Sequence, residues 1–193
     1  MAKLYFRYSA MNAGKTTQLV QVKYNYEERG QNVLVLKPSI DKRDGEGKIK
    51  SRIGIECSAI ILDPDTNIFK LIKQEQQVNK VDCILVDEAQ FLTKEQVMQL
   101  CSVVDDLNIP CMTYGLRSDF KGNLFPGSEV LLAMADSIEE LKTICWCGKK
   151  ALMNTRLLNG KAVYEGEQVQ IGGNEAYISL CRKHWREGKV TPN

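Results

Sequence analysis

The sequence lacks the surplus of positive charge that a protein needs to hold a long polyanion. Its 26 lysines and arginines nearly match its 24 aspartates and glutamates, so the net charge is +2 at pH 7. Basic and acidic residues are interspersed, and no stripe of basic and aromatic residues stands out. This balance argues against a surface built for nucleic acid, and we expect no nucleic-acid partner.

Long apolar runs are also missing. No stretch approaches the roughly 20 apolar residues of a membrane span, and the first residues do not form the apolar core of a secretion signal. We therefore expect no membrane partner and a cytoplasmic location. The 44% hydrophobic and 26% charged residues are ordinary for a globular protein. The 193 residues suffice for one well-cored domain, alone or with a small appendage.

The seven cysteines do not suggest a disulfide scaffold, because their number is odd and the chain is long enough to build a core. Four of them stand singly among apolar neighbours, and we predict that these are buried free thiols: Cys57, Cys83, Cys101 and Cys111.

The other three cysteines occur with the only histidine in two short motifs. CWC contains Cys145 and Cys147, and CRKH contains Cys181 and His184. Three thiolates and one imidazole are typical of a closed, tetrahedral, structural zinc site. Reduced surface thiols without a metal are the alternative. Because four ligands fill the coordination sphere, we expect zinc to stabilise the C-terminal segment and to take no part in catalysis.

The strongest N-terminal motif is the stretch KLYFRYSAMNAGKTT, residues 3–17. Its alternating apolar residues predict a strand, and a loop of small residues then ends in Gly14-Lys15-Thr16. In such a phosphate loop, backbone N–H groups and the start of the next helix surround a phosphate. Lys15 would reach the transferable phosphates, and the Thr16 hydroxyl would bind magnesium.

One position departs from the usual phosphate-loop pattern. The pattern begins with glycine five residues before Gly14, whereas this chain has Ser9 there. An ordinary turn between a strand and a helix is the alternative. We predict that the nucleotide-binding loop comprises Ser9, Ala10, Met11, Asn12, Ala13, Gly14, Lys15 and Thr16.

A second decisive stretch is VDCILVDEAQ, residues 81–90. Its apolar residues predict a buried strand, and Asp87 and Glu88 follow at the carboxyl end. In open α/β sheets, ligands bind at that edge. Asp87 is therefore placed to hold magnesium opposite Thr16, and Glu88 is free for another role. Two solvent-facing acids are the alternative.

The remaining periodicity predicts an α/β fold, because helices separate short apolar strands and such units form parallel sheets. Residue Asp65 or Asn67 caps the second helix, and Thr93 with Gln96 forms a capping box on the third. The predicted helices cover 17–29, 65–78, 93–107 and 128–135, and the further predicted strands cover 32–37, 109–114 and 140–145.

Three predicted loops carry functional hypotheses. Residues 39–56 form either a solvated loop or a mobile flap whose Arg43 and Arg52 approach an anion. Residues 115–128 contain Phe120 and Phe125 as exposed aromatics, which stack on a flat ligand or form a small satellite core. Residues 152–180 form a candidate lid clamped by zinc, with Tyr177 and backbone groups near residues 171–172 available to a ligand.

The order of these features closely resembles the zinc-containing thymidine kinase family. The resemblance rests on YSAMNAGKT, LVDEAQF, YGLRSDFKGNLFPGS, CWC, IGGNEAY and CRKH, and it covers nearly the whole chain. It includes Ser9, since bacterial members are similar at that position. The resemblance implies a P-loop (RecA-like) parallel-sheet domain over residues 1–144 and a small zinc domain over 145–193 that carries a lasso loop. It also implies a homotetramer.

The implied reaction transfers the γ-phosphate of ATP, with Mg²⁺, to the 5'-hydroxyl of thymidine. The products would be thymidine monophosphate and ADP, made in nucleotide salvage for DNA synthesis. The resemblance assigns the general base to Glu88, and it suggests feedback by thymidine triphosphate. General chemistry agrees, because phosphoryl transfer to an alcohol needs in-line placement, charge neutralisation and a proton acceptor.

The resemblance also implies the remaining ligand contacts. Ala89 and Gln90 join the nucleotide-binding residues, and main-chain groups of residues 169–172 would bind the alternating acceptors and donor of thymine. Asp41 and Arg43 match a family pair in the flexible loop. The implied thymidine-binding residues are Met11, Phe91, Leu116, Phe120, Phe125, Val169, Gln170, Ile171, Gly172 and Tyr177.

Two other functions fit parts of the sequence. A RecA-like ATPase that binds nucleic acid would use the zinc segment as a ribbon, but the near-neutral charge argues against it. A nucleoside kinase of broader specificity would share every motif, because the motifs do not define the pocket around the thymine methyl group.

Overall fold

The computed structural model describes residues 1–41, 47–169 and 176–192. Its helices are α1 (Lys15–Glu27), α2 (Ile68–Val78), α3 (Lys94–Leu107), α4 (Pro126–Met134) and α5 (Arg182–Glu187). Its strands are β1 (Leu4–Ser9), β2 (Val33–Pro38), β3 (Lys48–Lys50), β4 (Glu56–Ser58), β5 (Ile60–Leu62), β6 (Cys83–Val86), β7 (Cys111–Leu116), β8 (Ser137–Glu140), β9 (Thr143–Ile144), β10 (Lys150–Ala151), β11 (Met153–Leu158), β12 (Lys161–Val163) and β13 (Tyr177–Leu180).

The central sheet confirms the predicted α/β class. Six strands pair in the order β5-β2-β6-β7-β1-β8, and their pairings are parallel. One core cluster lies on the side of α2, α3 and α4, and a second lies on the side of α1. Strand β6 is buried on both faces, as its continuous apolar run predicts. The carboxyl ends of β1, β6 and β7 therefore share one edge.

Local capping explains where several helices begin. Asn67, rather than Asp65, caps α2 by accepting a hydrogen bond from the Lys70 N–H at 2.9 Å. The predicted capping box on α3 is present. Helix α4 begins at Pro126, earlier than predicted, because proline suits the first turn of a helix. Helix α1 begins at Lys15, directly after Gly14 in the left-handed region.

The prediction of a last strand over residues 140–145 is wrong. The strand that pairs with β1 is Ser137–Glu140, and the chain then leaves the sheet edge. Thr143–Ile144 pairs instead with β10 in an antiparallel ribbon, because the Cys145 N–H bonds the Lys149 carbonyl and closes a turn. The C-terminal part also holds a three-stranded antiparallel sheet in the order β12-β11-β13.

The described residues 47–62, which begin within the predicted loop 39–56, contain three short strands. Strands β3 and β4 form a hairpin, and β5 extends the central sheet by pairing with β2. Arg43 lies outside the described residues. Of the four single cysteines, Cys83 and Cys111 are buried as predicted, whereas Cys57 and Cys101 are only partly buried, because each lies near the periphery of its cluster. None of the described helices has the length and apolar character needed to cross a bilayer.

Candidate active site

A cavity of about 690 Å³ opens at the carboxyl edge of the central sheet. Most of the predicted site residues that the structure describes lie on its wall. They are Met11, Asn12, Ala13, Gly14, Lys15, Thr16, Asp87, Glu88, Gln90, Phe91, Leu116, Phe120, Phe125, Val169 and Tyr177. Ser9, Ala10 and Ala89 are buried and do not line the cavity, and Gln170, Ile171 and Gly172 lie outside the described residues.

The loop between β1 and α1 has the backbone shape of an anion cradle. Asn12 and Gly14 have φ values of 64° and 77°, which belong to the left-handed region. The Lys15 Nζ donates to the Ser9 hydroxyl at 2.9 Å and to the Ala10 carbonyl at 3.3 Å. Ser9 is the last residue of β1, so its extended backbone does not require glycine. The sequence departure at Ser9 therefore does not distort the loop.

Asp87 and Thr16 meet across the cavity floor. The Thr16 hydroxyl donates to Asp87 Oδ2 at 3.0 Å, and Asp87 is 2% exposed. Burial, together with the charge of Glu88, raises the pKa of Asp87 to about 7. The Glu88 N–H, Thr16 and Lys15 act in the opposite direction. Burial at this position penalises a lone negative charge, so a bound cation would favour the carboxylate.

Glu88 is held in an unusual backbone conformation at the end of β6. Its φ of 49° and ψ of 38° lie in the left-handed region, which costs a non-glycine residue roughly 1–3 kcal/mol. Its Oε2 accepts a hydrogen bond from Gln90 Nε2 at 2.5 Å, and Gln90 Oε1 accepts one from the Leu116 N–H at 3.0 Å. Gln90 thus ties the Glu88 carboxylate to β7.

Two glycines allow the elements around Glu88 to approach closely. A Cβ on Gly115 would lie 2.9 Å from Gln90 Oε1, and a Cβ on Gly127 would lie 2.4 Å from the Ala89 carbonyl oxygen. Both separations are shorter than non-bonded contacts allow. Helix α4 therefore packs directly on the turn that follows Glu88.

The prediction that Phe120 and Phe125 are exposed is wrong. They are 1% and 5% exposed, because each packs against neighbours that the sequence does not reveal. The Phe125 ring contacts the Phe91 ring edge-on with centroids 5.6 Å apart. The Arg156 guanidinium lies 3.7 Å from the centroid of Phe120. Both phenylalanines nevertheless line the cavity, so a ligand inside it meets them.

Sequence reasoning missed polar residues that shape this cavity. Arg156 donates two hydrogen bonds to the Tyr177 hydroxyl, at 3.0 Å and 2.9 Å. Asn154 and Asp119 lie on the cavity wall, and Gln168 Nε2 donates to Asp119 Oδ2 at 3.0 Å. A signal for two of them was available, since Asn154 and Arg156 are two residues apart in a strand and so share one face.

The described part of the 39–56 segment reaches the same cavity. Asp41 and Arg52 line it, and Asp41 is paired with the fully buried Lys37, whose Nζ lies 3.4 Å from Asp41 Oδ2. Arg52 therefore lies on the cavity wall, and its approach to an anion stays a prediction.

The four predicted zinc ligands converge in the C-terminal part. One ligand atom from each of Cys145, Cys147, Cys181 and His184 lies within 4.8 Å of the others. The Trp146 ring stacks on the His184 ring with centroids 4.1 Å apart and orients the imidazole. Three sulfurs and one nitrogen at this spacing suit tetrahedral zinc, so the donor set fits the metal.

Comparison with known proteins gives one consistent result. A family model described as "Thymidine kinase" matches residues 2–185. A thymidine kinase of Rhodopirellula baltica is 57% identical over 97% of this chain and 89% of that protein. A thymidine kinase of Ruegeria pomeroyi is 55% identical over 100% of this chain and 98% of that protein. One of Shewanella oneidensis is 58% identical over 97% of this chain and 98% of that protein.

Proposed function

The chain belongs to the thymidine kinase family and is an ATP-dependent kinase, and we propose that it phosphorylates thymidine in the cavity at the sheet edge. The γ-phosphate of ATP passes to the 5'-hydroxyl, giving thymidine monophosphate and ADP. The observation that carries this proposal is the meeting of the Lys15 loop, the Thr16–Asp87 pair and Glu88 around one cavity.

ATP binds with its phosphates in the loop between β1 and α1. The loop N–H groups and the start of α1 face the phosphate oxygens. The Lys15 ammonium leaves Ser9 and Ala10 to bind the transferable phosphates. Thr16 and Asp87 would hold magnesium, which would neutralise charge on those phosphates.

Glu88 is the proton acceptor in this proposal. Its carboxylate lines the cavity next to the magnesium-binding pair, and Gln90 orients it. The 5'-hydroxyl lies between Glu88 and the γ-phosphate, so that its oxygen attacks phosphorus while its proton passes to Glu88. Backbone strain at a catalytic carboxylate is consistent with such pre-organisation.

The thymine ring lies against the aromatic side of the cavity. Arg156 lies over one face of the Phe120 ring, and the thymine ring stacks on the other face. Met11, Leu116 and Phe125 enclose the base. Tyr177 and Val169 line the same cavity, and the predicted main-chain contacts of Gln170, Ile171 and Gly172 lie outside the described residues. Arg156 positions both Phe120 and Tyr177.

Replacing Phe120 by leucine tests the stacking role. Loss of an aromatic platform under a base costs about 1–3 kcal/mol, so we expect KM for thymidine to rise by roughly tenfold or more while KM for ATP changes little. Steady-state kinetics with each substrate varied in turn measures both constants. Phe69→Leu, on α2 outside the cavity, is the control. Equal shifts of both KM values in Phe120→Leu would contradict the stacking role.

Zinc has a structural role in this proposal. Removal of the metal by a chelator should loosen the C-terminal segment first, because the four ligands join the β9–β10 ribbon to α5. Limited proteolysis with and without added zinc detects this change as new cleavage C-terminal to residue 141. A C-terminal segment that stays protease-resistant in a metal-free sample would refute the prediction.

We further propose that the chain divides into domains 1–144 and 145–193. We also propose that it forms a homotetramer and is located in the cytoplasm. Their support is the family resemblance and, for location, the composition of the chain.

The direct test is a product assay with ATP, Mg²⁺ and thymidine. We expect ADP and thymidine monophosphate in equal amounts, with no effect of added single-stranded DNA. ADP release without nucleotide product, stimulated by the DNA in a salt-sensitive manner, would instead identify a nucleic-acid ATPase.

A further inference from the structure

Both backbone polar groups of Met11, in the middle of the phosphate loop, are bound by side chains from distant parts of the chain. The Met11 N–H donates to Asn154 Oδ1 at 2.8 Å, across 143 residues of sequence. The Met11 carbonyl accepts from the Ser179 hydroxyl at 2.7 Å, across 168 residues. These two bonds fix the peptide planes on either side of Met11.

The two side chains form one rigid unit. Asn154 on β11 and Ser179 on β13 lie directly opposite each other in the C-terminal antiparallel sheet. They are 4% and 7% exposed. The Asn154 Nδ2 also donates to the Ser118 carbonyl at 2.9 Å, so its amide is held from the other side. Because the two side chains are buried and paired across the strands, they have little conformational freedom and hold Met11 in one position.

The hydrogen bonds to Met11 lie next to the turn of the phosphate loop. The next residue, Asn12, has the left-handed φ of 64°, a conformation that is uncommon for non-glycine residues and that asparagine adopts more often than most. The Asn12 carbonyl also accepts from the Thr143 hydroxyl, at 3.3 Å. The C-terminal part therefore holds the loop in the turn that aims its N–H groups at a phosphate.

We propose that Asn154 and Ser179 are positioning residues that hold the phosphate loop in its nucleotide-binding shape. Neither residue touches the phosphates in this proposal; they act through Met11. The C-terminal sheet thereby contributes to ATP affinity, in addition to placing Tyr177 beside the nucleoside. This inference rests on the proposed function, since it assumes that the loop binds ATP.

The test compares Mg²⁺–ADP binding among three variants by calorimetry, at a temperature where thermal melting shows each to be folded. Ser179→Ala removes one bond to Met11, and a hydrogen bond of ordinary strength predicts about 3- to 10-fold weaker ADP binding. Ser179→Thr keeps the hydroxyl and should restore most of the affinity. Thr155→Val is the matched control, because Thr155 lies in the same pair of strands, β11 and β13. Its buried hydroxyl has no hydrogen-bond partner among the described residues, so the change removes no such bond.

The outcomes separate this inference from the proposed function. No ADP binding by the unaltered protein would refute the proposed function itself. ADP binding by Ser179→Ala equal to that of the unaltered protein would refute only the positioning role. A stability loss shared by Ser179→Ala and Thr155→Val, without any difference in ADP affinity, would also refute it. If Ser179→Ala does not fold, Asn154→Ala decides by the same measurement.

Discussion

Glu88→Gln should lower kcat for thymidine phosphorylation by roughly 100- to 10,000-fold, the usual contribution of a general base. Glutamine has nearly the same shape as glutamate, but its amide does not accept the proton of the 5'-hydroxyl. ATP should still bind, because the phosphate loop and the Thr16–Asp87 pair are unchanged. Single-turnover kinetics and calorimetry with Mg²⁺–ADP measure the two effects separately.

A glutamate outside the cavity provides the matched control for the loss of a carboxylate. Glu28→Gln alters an exposed glutamate at the end of α1, far from the cavity wall, and should leave kcat unchanged. Turnover by Glu88→Gln within a few-fold of the unaltered enzyme would defeat the general-base assignment. It would leave the phosphate-loop assignments standing.

Lys15→Met should reduce kcat by about 100- to 1,000-fold, the cost typical of removing one donor to a charge that develops in the transition state. Methionine keeps the length and helix propensity of the side chain but removes the ammonium. The Ser9 hydroxyl and the Ala10 carbonyl, which now accept from Lys15, also lose a donor. Binding of ATP should weaken as well, since the phosphates lose an ion partner.

Lys73→Met on the exposed face of α2 is the control for this change and should behave like the unaltered protein. The measurements are kcat with saturating thymidine and the Kd for Mg²⁺–ATP. Full turnover in Lys15→Met would show that the β1–α1 loop is not the phosphate site.

The sequence predicted those parts of the site that local patterns encode. Gly14-Lys15-Thr16 follows a strand and opens a helix, so its geometry depends on neighbours in sequence. Asp87 and Glu88 follow a continuous apolar run, and parallel pairing brings their strand end to the same edge as the loop. The Thr93 capping box is likewise a short-range pattern.

Contacts between distant segments were not predictable in the same way. Phe120 packs against Arg156, and the backbone of Met11 is bound by Asn154 and Ser179. No spacing in the sequence connects these pairs. The last strand of the central sheet was misplaced because Thr143 and Ile144 are both β-branched and favour a strand, but the turn at Cys145 pairs them with β10. Tertiary context decided these cases over local propensity.

Thymidine phosphorylation is tested by a phosphate-transfer assay with ATP and each of the four deoxynucleosides, with Mg²⁺ present and then withheld. We expect transfer to thymidine far above transfer to the other three, and only with Mg²⁺. Comparable transfer to deoxycytidine would indicate a kinase of broader specificity. No transfer to any nucleoside, with ATP hydrolysis intact, would contradict the proposed function.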